Sequence, residues 1–125
     1  MLPSELELTD ITKYNQQLAE ADMLLAGEGL HPSLQGARVS FSGGKTTVTQ
    51  GPFTGTSELI AGFWLIQAKS LEEAIQWARR VPFKDGEIEI RQVFEAQDFG
   101  PAFTPGLQEA EERLRAQAAK NKKGP

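Results

Sequence analysis

Residues 4–22 place Leu8, Ile11, Tyr14, Leu18 and Ala21 at spacings of three and four, the stripe of an amphipathic helix with one face on a core. Ser4 with Glu7 three residues later fits a capping box, and Pro3 lies just outside it. Met23 to Leu30 reads as a strand that Gly27, Gly29 and Pro32 break. Ala37 to Ser42 and Thr46 to Gln50 flank Gly43-Gly44, a dipeptide suited to a tight hairpin turn because glycine tolerates positive φ. After the loop 51–55 comes Leu59 to Ala68, then a second helix capped by Ser70 and Glu73. That helix buries Leu71, Ala74, Ile75 and Ala78, with Arg79 and Arg80 at its negative end. Glu87 to Phe94 alternates as a further strand, with Ile88, Ile90 and Phe94 on one face.

Leu59 to Ala68 is apolar on both faces: Leu59, Ala61, Phe63 and Leu65 on one, Ile60, Trp64 and Ile66 on the other. Such a strand is expected to be central and covered twice. Two helices cover only one face of a small sheet, so a second copy of the sheet is the economical cover for the other, which predicts a homodimer. The aromatics Trp64, Phe63, Phe41 and Phe94 read as core. Beyond Phe99 the pattern thins. Gly100-Pro101 and Pro105-Gly106 form a linker, and Leu107 to about Ala119 a polar helix that ends in the solvated run Lys120-Asn121-Lys122-Lys123. The expected division is a domain over 1–100 and an extension over 101–125.

The chain has 125 residues, a net charge of −4 and no cysteine. The acidic balance argues against direct nucleic-acid binding, and no apolar run is long enough for a membrane span. The absence of cysteine excludes disulfides and thiolate chemistry and fits a reducing compartment, so the expected location is cytoplasmic. Gly44-Lys45-Thr46 lacks the earlier glycine of a phosphate loop, Val39 standing there, and is followed by a strand rather than a helix. Gly27-Glu28-Gly29 leads to Pro32 instead of a helix, so it opens no dinucleotide fingerprint. A metal site would have to use carboxylates, and none are clustered; no metal and no cofactor are expected. His31 is the single histidine, and imidazole is the side chain best suited to proton transfer near neutral pH. A histidine beside a proline in a loop is more often simply exposed.

The runs LLAGEGLHPS (24–33), GARVSFSGGKTTVTQGPFTGTSELIAGFWLIQAKSLEEAIQWARR (36–80) and GEIEIRQVFEAQDFG (86–100) resemble the YCII-related family, in particular its branch named for an Asp-Gly-Pro-Phe signature. The likeness covers roughly residues 4–100. It implies an α+β, ferredoxin-like antiparallel sheet with two packed helices, of the dimeric α/β-barrel type. Members usually open with a strand before the first helix. Here the chain starts almost on the helix cap, so either the first strand is missing or the start lies upstream.

The resemblance also implies chemistry. Some members are similar to a dehydrochlorinase of chlorinated hydroxyquinones that uses a His–Asp pair, and others accompany sigma factors. The family histidine falls on His31, while the signature aspartate falls on Gln50, before Gly51-Pro52-Phe53. A glutamate common in the next segment is replaced by Gly55, and Glu58 is retained. A carboxylate beside imidazole stabilises the cation formed when the ring takes a proton. In a serine-protease triad, exchanging that aspartate for its amide costs about 10⁴ in turnover. The expectation is therefore a non-catalytic or weakly active small-molecule-binding or regulatory module around His31, Gln50 and Phe53, with Glu28, Glu58 and Arg38 as further binding candidates. The rival readings are a lyase using His31 with Glu28 or Glu58 in place of the aspartate, and an interaction module for a sigma factor.

Overall fold

The computed structural model describes residues 3–53 and 59–122. It is an α+β chain that divides into two compact units, 1–88 and 89–125. Among the described residues it contains three α-helices and two small antiparallel sheets, an arrangement compatible with a ferredoxin-like fold.

The first unit begins with α1 (Glu5–Glu20). Its capping box forms as the sequence predicts. Ser4 Oγ accepts from the Glu7 amide at 3.1 Å, and the Glu7 carboxylate accepts from the Ser4 amide at 3.0 Å. These hydrogen bonds hold the Glu7 carboxyl below its ordinary pKa. Of the predicted stripe, Tyr14 and Leu18 are buried and Ile11 is half-buried, whereas Leu8 and Ala21 are exposed. The stripe is thus used only where sheet residues lie opposite it.

Strands β1 (Leu24–Gly29) and β4 (Gly62–Ile66) pair antiparallel, with Leu24 opposite Ile66, Gly27 opposite Trp64 and Glu28 opposite Phe63. A register shift between Leu24 and Ala26 leaves Leu25 as the extra residue of a bulge. Gly27 does not break this strand. It faces the Trp64 indole, where an added Cβ would come within 3.3 Å of the ring. On the covered face, Tyr14, Leu18 and Met23 form the buried cluster, and Leu24, Trp64, Ile66, Trp77 and Val81 pack against it. Trp64 Nε1 donates to Asn15 Oδ1 at 2.8 Å, so the indole enters the core without an unpaired donor. Opposed residues share a face of the sheet, which puts Ala26, Glu28, Phe63 and Leu65 together on the other face. There Phe63 keeps 48% and Leu65 39% of its surface exposed.

Strands β2 (Ala37–Ser42) and β3 (Lys45–Gln50) form the predicted hairpin, turning through Gly43 and Gly44 at φ 57° and 80°. Helix α2 (Leu71–Ala78) starts at Ser70, whose Oγ accepts from the Glu73 amide at 3.1 Å. The Glu73 carboxylate returns to the amide of Lys69 rather than to that of Ser70. Ala74 is buried and Trp77 half-buried, but Leu71, expected inside, is 62% exposed. Arg80, just past the helix, lies over the Trp77 ring at 4.1 Å and donates to Gln17 Oε1 at 3.0 Å.

Three expectations need correction. The apolar run 59–68, expected to be a central strand, contributes only Gly62–Ile66 to a ladder, and that ladder has β1 as its one partner among the described residues. The alternating run 87–94 has no ladder partner among the described residues: alternation describes a pleat, but a strand also needs a neighbouring backbone. Phe94 instead packs locally in the second unit, edge-on to Phe99 at 4.7 Å, with Phe103 next at 5.2 Å. Finally, Phe41, Phe63 and Phe94, expected in the core, are exposed within the chain.

The second unit holds a 3-10 turn (Ala96–Phe99) and α3 (Pro105–Lys122). Thr104 Oγ1 accepts from the Leu107 amide at 3.3 Å, and Leu107 and Leu114 stay exposed. No described helix is long and apolar enough to cross a membrane.

Candidate functional site

The chain leaves β1 at Gly29 and is still tied to the neighbouring strand at Leu30, whose amide donates to the Ala61 carbonyl at 2.8 Å. His31 follows, exposed, and Pro32 leads into a 3-10 turn (Ser33–Gln35). The far end of the hairpin comes back to this turn. The Gly51 amide donates to the Gly36 carbonyl at 2.8 Å, and the Phe53 amide donates to Ser33 Oγ at 3.3 Å. Gly51 packs directly on the Ser33 carbonyl, leaving no room for a Cβ. The Gly51–Pro52 peptide is cis.

Phe53 is half-buried, and the Arg38 guanidinium lies 4.0 Å from its ring centroid. A guanidinium over an aromatic face is an attractive pair, worth roughly 0.5–1 kcal/mol at an exposed site. It also fixes where the charge is presented. Pairing across the hairpin puts Arg38 with Thr49 on one face and Gln50 with Ala37 on the other. The structure therefore separates the two candidates from β2 and β3: Arg38 lies with Phe53, and Gln50 stands on the opposite face.

No side-chain hydrogen bond joins His31 to Gln50 or Glu28, and no ion pair reaches the imidazole among the described residues. Glu28 sits in β1 opposite Phe63, on the open face of its sheet. Glu58 lies outside the described residues. So His31 and Phe53 are carried by two loops that touch, with Arg38 reaching the Phe53 ring from the start of β2, while Gln50 and Glu28 stand on other faces. No group of three or more potential metal ligands occurs among the described residues. A shallow depression along α1 is lined by Glu5, Leu8, Thr9, Thr12, Lys13 and Gln16, and by none of the candidates.

Sequence reasoning missed Ser33. A serine after a proline reads as an ordinary loop residue, and only the returning backbone of 51–53 shows what its hydroxyl contacts.

An uncharacterized protein of Rhizobium meliloti (strain 1021) is 36% identical over 72 residues, which is 58% of this chain and 58% of that relative, so the match spans less than two thirds of the relative's length. The family model for the YCII-related domain matches residues 4–97, which takes in all of the first unit's described elements and both loops of the candidate site. The chain therefore belongs to the YCII-related domain family.

Proposed function

We propose that the protein is a small-molecule-binding module with little or no acid–base catalysis of its own, built around His31 and Phe53, with Gln50 left on the other face of the hairpin. Arg38 serves as its anchor for an anionic group. The observation that carries this reading is that the loop bearing His31, whose imidazole is exposed and has no carboxylate partner among the described residues, is hydrogen-bonded at Ser33 to Phe53, whose ring holds the Arg38 guanidinium. Proton transfer at speed needs a base whose cation is stabilised, and an amide at position 50 brings no charge. Binding has no such requirement. An aromatic carboxylate suits the pair, since its charge meets the guanidinium and its ring finds an apolar neighbour. Occupancy without turnover also makes a natural regulatory signal.

The same reading takes the protein as a cytoplasmic homodimer of the dimeric α/β-barrel type, paired through the open face of β1 and β4. Exposed Phe63 and Leu65 support that choice, because a monomer gains nothing from apolar groups left in water. Glu28 shares this face and would border the space between protomers.

Benzoate, titrated into labelled protein and followed by ¹H–¹⁵N spectra, tests the binding site. Saturable shifts confined to residues 30–38 and 50–53 are expected. Saturable shifts mapping to α1, or none up to tens of millimolar, would refute it.

A further inference from the structure

One residue ties the two loops of the candidate site together. Ser33 Oγ accepts the Phe53 amide proton at 3.3 Å, and its carbonyl accepts from the Gly36 amide at 2.9 Å. Gly51 packs on that carbonyl so closely that any side chain there would collide with it. Phe53 in turn carries the Arg38 guanidinium 4.0 Å from its ring centroid. A continuous path therefore runs from His31 along Pro32 to Ser33, across a hydrogen bond to Phe53, and across a stacking contact to Arg38.

We propose that Ser33 is a positioning residue of this site. By fixing the Phe53 backbone it sets where the ring lies, and so where the Arg38 charge is presented beside the loop that bears His31. A serine fits the task. Its hydroxyl oxygen is an acceptor on a single-carbon stem, and Pro32, at φ −55°, restrains the backbone that precedes it. Alanine would keep the turn and lose the acceptor, while threonine would keep both. The role draws its purpose from the binding reading above, but its test needs no ligand.

The test compares full-length wild type with Ser33→Ala and Ser33→Thr by NMR without ligand. It reads the hydrogen-exchange rate of the Phe53 amide and the ring-current displacement of the Arg38 Nε–H signal. In Ser33→Ala the Phe53 amide is expected to exchange about five-fold faster, the loss of one typical net hydrogen bond, and the Arg38 signal to move toward its random-coil position. Ser33→Thr is expected to restore both. A Ser33→Ala protein with both signals at their wild-type values would overturn the proposal, as would failure of threonine to restore them. Should Ser33→Ala not fold, Ser33→Cys, which keeps the size and weakens the acceptor, is expected to move both signals the same way, and no movement there counts against the role. The two readings fail separately. Wild type that takes up no benzoate, with both signals moved in Ser33→Ala, removes the binding reading alone; benzoate uptake with unmoved signals removes the positioning role alone.

Discussion

Tyr14 and Trp77 meet twice. The phenol hydroxyl donates to the Trp77 carbonyl at 2.8 Å, and the two rings lie edge to face with centroids 6.3 Å apart. The hydrogen bond ties the middle of α1 to the last turn of α2, across 63 residues of chain. It also lets a phenol sit in the core with its polar atom paired.

Tyr14→Phe should therefore lower unfolding free energy by about 1 kcal/mol, the usual net worth of one such bond, measured by urea denaturation at neutral pH. Burial raises the Tyr14 pKa above 10.0, with Arg80 opposing it. A group whose pKa is higher folded than unfolded adds stability that is present below the unfolded value and is lost as pH rises through the folded one. Wild type should lose its advantage over Tyr14→Phe in strongly alkaline solution. A constant gap between the two across that range would show that the phenol is not held this way.

The cap of α1 predicts the opposite pH sign. Hydrogen bonds to the Ser4 backbone and hydroxyl lower the Glu7 pKa from 4.5. Its contribution is present above 4.5 and is lost as pH falls through the lowered folded value. Glu7→Gln should be less stable than wild type at pH 7, and the difference should shrink on acidification. Parallel acid-unfolding curves would contradict the capping geometry.

Gly51 is the steric test of the loop junction. A methyl group there meets the Ser33 carbonyl, so the two loops must separate. Gly51→Ala should cost on the order of 2 kcal/mol, within the range for strained backbone sites, and should shift the amide signals of residues 33–36. An unchanged spectrum for those four residues would mean that the loops are not in contact.

The open face of β1 and β4 makes the proposed dimer testable. Light scattering of wild type should give twice the 13.7 kDa chain mass. Phe63→Asp puts a charge on that face, where Phe63 is 48% exposed, and should give single chains with unchanged helix content. A wild-type particle of 13.7 kDa at micromolar concentration would remove the dimer.

How far these features could be read in advance depended on whether their cause was local. Ser4–Glu7, Ser70 and the Gly43-Gly44 turn are fixed by residues within four positions of one another, and each forms where the sequence places it. Gly27 reads as a strand breaker in the sequence because the Trp64 ring that fills its space lies 37 positions away. The run 87–94 alternates as a strand does, but alternation cannot report whether a partner backbone is present. At the candidate site, His31 and the substitution at Gln50 were legible from the family likeness. The separation of Gln50 from Arg38 onto opposite faces of the hairpin follows only from the register, and the Ser33 contact only from the loop that returns to it.

Isothermal titration calorimetry of benzoate against wild type, Arg38→Gln and His31→Ala is the most direct test of the account. Wild type should bind saturably, and Arg38→Gln should bind at least about ten-fold more weakly, the equivalent of roughly 1.4 kcal/mol for a lost charge-assisted contact. His31→Ala should weaken binding as well. Equal affinity in all three proteins would place the ligand elsewhere and contradict the assignment of His31 and Arg38 to the binding site.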